Sequence, residues 1–103
     1  MLKIHKYKID KAFHVWIDVA MPWGAKIMSF QEQDGDLCIW ALIDDVKAMG
    51  TKTFMLHGTG LPFSESKLTD YPVNFIGTAQ SDGYVWHLFE RTSSKPLTGA
   101  NNR

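Results

Sequence analysis

The residues able to do chemistry in this chain are few and scattered. Four histidines, His5, His14, His57 and His87, have no i,i+2 or i,i+4 partner, so a zinc site would require His57 and His87 to meet across neighbouring strands. His57 also precedes Gly58-Thr59-Gly60, where small residues would let backbone amides approach an anion. The spacing is not that of a phosphate loop, GxxxxGK[ST], and it favours a glycine-rich strand exit or β-bulge over an anion cradle. Ser29, Gln31 and Gln33 fall on one face of a strand and could read the hydrogen-bonding edges of a ligand, or simply meet water. Trp40 and Trp86 sit in the two most apolar runs, where core packing is the default; tryptophan also stacks on nucleobases and anchors interfaces, so exposure decides. Cys38 has no predicted cationic neighbour to activate it and reads as a structural thiol. The acids gather at turn positions, Asp34/Asp36 and Asp44/Asp45, which leaves no carboxylate pair for acid–base work. Binding is therefore expected ahead of catalysis, with His57, Gly58, Thr59, Gly60, Trp86, His87, Trp40 and Gln31 as the ligand-contacting set. No catalytic residue, metal site or cofactor is expected.

The elements that must position these groups are strands. Asp34-Gly35-Asp36 stands between two β-type runs, residues 26–33 and 37–43, as a two-residue hairpin turn should. Residues 37–43 are apolar at every position, so that strand has two faces to cover, and a partner is implied. Residues 2–9 read as an edge-like first strand whose lysines discourage further pairing. Residues 14–20 alternate, with Val15, Ile17 and Val19 inward and His14, Trp16 and Asp18 outward, until Met21-Pro-Trp-Gly24 breaks the run. Residues 44–50 form a polar loop with room for one helical turn, and 52–57 a fifth strand. Residues 61–72, with two prolines, make a long surface connection of the kind that often carries function. Residues 73–80 and 84–90 flank a second hairpin signal, Ser81-Asp82-Gly83, and the last strand has aromatic or apolar residues on both faces.

Seven short strands joined by tight turns predict an all-β fold, a small antiparallel sandwich or a partly open barrel, over residues 1–92. Residues 93–103 read as a disordered polar tail. The 103 residues make one domain with a thin core, to which oligomerisation would add burial. Eleven basic and eleven acidic residues cancel, which removes the positive field that bulk nucleic-acid binding needs. One cysteine, no apolar leader and no membrane-length apolar run fit a soluble protein of a reducing cytoplasm.

The succession Gly24-Ala-Lys-Ile-Met-Ser-Phe-Gln-Glu-Gln33, Leu37-Cys-Ile-Trp-Ala-Leu-Ile-Asp44, Phe54 leading to Gly58-Thr-Gly60 and Pro62, then Phe75-Ile-Gly-Thr-Ala-Gln80 and Val85-Trp-His-Leu-Phe-Glu90 resembles a family of short uncharacterised bacteriophage and prophage proteins. The chain departs from that pattern in its longer polar tail and in Glu32, where an apolar residue is usual. The resemblance implies a phage accessory protein in the cytoplasm of the infected bacterial host. Combined with an oligomeric design, it leads to the expectation of a non-catalytic antagonist of host immunity. Such a protein would sequester a nucleotide-type signal or dock on a host defence protein, without bulk nucleic acid or membrane as partner. A structural or regulatory interaction protein with no small ligand is the alternative, and a small hydrolase using His57 or His87 as base a remote one.

Overall fold

Alternation of apolar and polar residues, cut by Asp-Gly turns, yields seven strands in the computed structural model, which describes residues 1–12, 15–63 and 68–97. They are β1 (Leu2–Ile9), β2 (Ile17–Pro22), β3 (Lys26–Gln33), β4 (Asp36–Asp44), β5 (Met49–Gly58), β6 (Val73–Ser81) and β7 (Tyr84–Arg91). All pairings are antiparallel and form two sheets, ordered β1-β4-β3 and β2-β5-β7-β6. The fold is sandwich-like and does not close as a barrel.

Both hairpins have two-residue loops whose residues take positive φ: Asp34 at 52° and Gly35 at 87°, then Asp82 at 55° and Gly83 at 79°. Double positive φ is what a turn needs to match the right-handed twist of its strands, and Asp-Gly adopts it at small cost. The two turns meet at one end of the sandwich. Lys11 Nζ donates to Gly35 O and to Asp82 Oδ2, and Ser81 Oγ donates to the same Gly35 carbonyl at 2.9 Å. Glu32 accepts the Gly35 N–H at 2.6 Å, so its carboxylate closes the first turn.

The core is made where the inner faces meet. Leu37, Ile39, Ala41 and Ile43 of β4 face Phe54 and Leu56 of β5 and Trp86 and Leu88 of β7, all nearly or fully buried. Trp86 finds room because its cross-strand neighbours are Gly58 and Ala79. The other face of β4, with Cys38, Trp40 and Leu42, looks outward beside Leu2, Ile4, Lys6 and Lys8 of β1 and Ser29, Gln31 and Gln33 of β3.

Three boundaries differ from expectation. β2 begins at Ile17, so Val15 is exposed and not inward, whereas Ile17 and Val19 do pack on the core; His14 lies outside the described residues. β5 begins at Met49 because the 44–50 loop is a tight turn: Asp44 accepts the Lys47 N–H through its carbonyl and the Val46 N–H through its carboxylate, which leaves Ala48 free to accept from Trp23. Within 61–72, a 3-10 turn at Leu68–Asp70 buries Leu68. Of the expected tail, residues 93–97 are coil and Leu97 N–H donates to Asp70 O at 2.8 Å; residues 98–103 lie outside the described set.

Candidate ligand-binding cleft

Strands β5 and β7 pair from Gly58↔Trp86 down to Thr53↔Arg91 and then part. β5 continues to Met49 with β2 as its sole ladder partner among the described residues, while the chain after β7 is drawn away by two bonds from Thr92, backbone N–H and Oγ1, to the Pro72 carbonyl. The gap is a cavity of about 760 Å³, walled by the β5 backbone at Gly50–Thr53 on one side and Thr92, Ser93 and Ser94 on the other. Along an antiparallel strand, N–H and C=O groups point alternately to its two neighbours. Half of those on residues 49–52 therefore face the cleft, where among the described residues no strand pairs with them.

Trp23 roofs this gap. Its N–H is anchored on Ala48 O at 2.9 Å, its ring lies over Gly50, and it remains 65% exposed. A Cβ on Gly50 would stand 2.9 Å from Trp23 Cε2, so glycine is required for the indole to lie this close. Two cations and two carboxylates line the walls. Lys52 pairs with Glu90 at 2.9 Å, and Asp18 accepts the Thr53 hydroxyl at 2.7 Å. Arg91 differs: its guanidinium carbon stands 5.0 Å from the Trp16 ring centroid and 4.8 Å from that of Tyr71, two rings that meet edge to face. Among the described residues no carboxylate pairs with it. Arg91 is thus a cation held by aromatic faces, with guanidinium donors left for an incoming acceptor. A flat ring to stack on, a cation, several hydroxyls and unused backbone groups suit a polar ligand that carries an aromatic ring and an anionic group.

The residues singled out from sequence fall in three other places. His57 and His87 are direct cross-strand partners on the face of the second sheet turned away from the core. His87 lies between two threonines, Nε2 at 2.7 Å from Thr59 Oγ1 and Nδ1 at 2.8 Å from Thr78 Oγ1. His57 Nε2 is 2.8 Å from Leu61 O, and Phe63 stacks on its ring at 4.3 Å, so the connection after β5 folds down over this face. Gly58 ends β5, and Gly60, at φ 88°, completes a turn closed by Leu61 N–H on Gly58 O, the strand exit that the sequence favoured. Trp86 is 3% exposed and donates Nε1–H to Ser81 O, deep in the core. Trp40 and Gln31 border a groove of about 310 Å³ on the outer face of the first sheet with Ile4, Met28 and Ser29. No single small ligand reaches all three places. Among the described residues no group of three or more His, Cys, Asp or Glu could hold a metal ion, and no helix is long and apolar enough to cross a membrane.

Sequence reasoning missed Trp23, Lys52 and Arg91. The available signal was Trp23 itself, a large aromatic between proline and glycine in a turn, where core packing is least expected. For Cys38, the register supplies the cationic neighbour that sequence did not: Lys8 lies opposite it. Burial nonetheless raises the thiol pKa, outweighing the pull of Lys6 and Lys8.

Fold and cleft together define a two-sheet antiparallel β-sandwich with a ligand-sized opening where two strands splay. The chain belongs to the family described as Domain of unknown function (DUF7352), whose model matches residues 1–99. No curated protein and no solved structure matches it.

Proposed function

We propose that this chain is a non-catalytic binding protein that holds a nucleotide-type ligand in the cleft between β5 and the segment after β7. The observation that carries the reading is that Trp23, over the core-facing side of Gly50, and Arg91, on the opposite side beside Thr53, both line one gap of about 760 Å³, a size ordinary for small-molecule sites. In this reading a base stacks on Trp23, a phosphate takes the free donors of Arg91, and sugar hydroxyls exchange hydrogen bonds with Thr51, Thr53 and Ser93. The resemblance to short phage proteins gives the binding a purpose: sequestration of a nucleotide immune signal in the cytoplasm of an infected bacterium. Calorimetric titration with mono-, di- and cyclic nucleotides tests it. One class should bind, and Trp23→Ala and Arg91→Gln should each weaken it about 10-fold or more. Absence of heat with every class at millimolar concentration overturns the ligand. In cells, expression should restore phage plating on a strain with nucleotide-based defence, and Trp23→Ala should abolish the rescue.

A second reading, docking on a host protein or a structural role without small ligand, is favoured by the exposed apolar face of the first sheet, where Leu2, Ile4 and Met28 are 66%, 57% and 55% exposed. Retained anti-defence activity in a Trp23→Ala, Arg91→Gln double variant would select it.

A further inference from the structure

We infer that the outer face of the β1-β4-β3 sheet is the interface between two copies of this chain. Strand β4 is apolar on both sides, yet the second sheet covers only one. On the open side, Leu2 and Ile4 of β1 form one ridge and Met28 of β3 another, the latter raised by the bulge between Ile27 and Ser29. Between the ridges lies a valley floored by half-buried Trp40 of β4, the groove of about 310 Å³, with half-buried Leu42 next to it along the strand face.

Ridge and valley on one face are self-complementary. A two-fold axis lying in the plane of contact puts the Leu2/Ile4 ridge of each copy into the valley of the other, the isologous arrangement in which one patch serves both partners. The surroundings suit this occupant. Lys6 is drawn to Gln33 at 2.7 Å and Lys8 to Asp36 at 3.4 Å, toward the hairpin end and off the apolar strip, so these two ammonium groups stand at a polar rim, while exposed Lys26, opposite Leu42, borders the strip on the β3 side.

Area sets the strength expected of this contact. Three strands about 4.8 Å apart, with Leu2 to Lys8 rising about 3.4 Å per residue, make a face of roughly 14 by 24 Å. Docked on its copy, two such faces remove roughly 700 Å² from water, below the size of standard specific interfaces and in the range of weak, transient ones. A contact of this size is expected to be weak, with a dissociation constant of tens of micromolar or more. The cleft opens at a different part of the molecule, in the other sheet, so the dimer stands or falls independently of ligand binding.

Sedimentation velocity of the full chain between about 1 and 300 µM tests the inference. The weight-average mass should rise from the 11.7 kDa monomer toward twice that value. Ile4→Lys and Met28→Lys, both at exposed positions, should each weaken association by about 30-fold or more while far-UV circular dichroism stays unchanged. Phe75→Lys is the control, because Phe75 is equally exposed, at 58%, but lies on the second sheet; its dimer should match wild type. A wild type monomeric throughout, whatever foreign protein it captures, overturns the inference. So does a dimer indifferent to Ile4→Lys and Met28→Lys, or one weakened as much by Phe75→Lys.

Discussion

Trp40 and Trp86 occupy equivalent places in the sequence, each central in an apolar strand, and opposite places in the molecule. Trp86 packs in the core between Gly58 and Ala79, and Trp40 lies outward between Lys6 and Ser29. Trp86→Ala should cost about 3–5 kcal/mol in urea unfolding, the range for deleting a buried large aromatic. Trp40→Ala, losing a half-buried side chain with little cavity, should cost about 1–2 kcal/mol in the same measurement. Nothing in either run distinguishes the two residues. The difference comes from which side of each sheet meets the other. Cys38 makes a second residue-scale prediction. Burial favours its neutral form, so the folded pKa lies above the ordinary thiol value of 9.0. Thiolate appears only at higher pH than in an unfolded chain, and iodoacetamide at pH 8 should alkylate native Cys38 at least about 10-fold more slowly than the same residue in urea. Equal rates would mean that the outer face of β4 opens readily.

At the scale of elements, the two Asp-Gly turns and the lysine that joins them hold one end of the sandwich. Gly35→Ala should cost about 1–2 kcal/mol, because a Cβ at φ 87° is strained even though the space around it is open. Lys11→Met should cost about 1–2 kcal/mol by denaturant titration, since it removes one donor shared by two turns and leaves the part-buried Gly35 carbonyl with fewer partners. The hairpins were legible because their signal is local: two residues decide the φ values and therefore the register of the strands on either side. The cleft was not, since it arises where β5 outruns β7, and that end is set by Thr92 reaching Pro72, twenty residues away. Gly50→Ala probes this distant dependence. The new Cβ forces Trp23 off its seat, and ligand affinity in the cleft should fall together with a change in tryptophan emission, while β5 itself persists. Unchanged emission would place Trp23 elsewhere in solution.

For the whole molecule, the inferred dimer would make stability depend on concentration. A sandwich of this size has one thin core, and the apolar outer face adds stability only when a second copy covers it. The Tm of the wild type should rise by several degrees between about 5 and 200 µM, and that of Ile4→Lys should not. A Tm independent of concentration in both would show that the first sheet is complete without a partner. The doubly apolar run at residues 37–43 led from sequence alone to the expectation of a partner. The structure adds which face is open, because β4 is central in a three-stranded sheet and the core claims the side bearing Leu37, Ile39, Ala41 and Ile43.

By itself the sequence determined what depends on near neighbours: the strand periodicity, both hairpin turns, the all-β class and the surplus of apolar surface on β4. Side-chain alternation and turn dihedrals are set within a few residues, so no fold is needed to read them. Tertiary structure alone decided which parity faces the core, that His57 and His87 become cross-strand partners, and that Trp23 and Arg91, far apart in the chain, share one cavity. Those facts depend on sheet order, on where ladders end and on which faces pack, and these follow from the summed burial of the whole chain, not from any single segment.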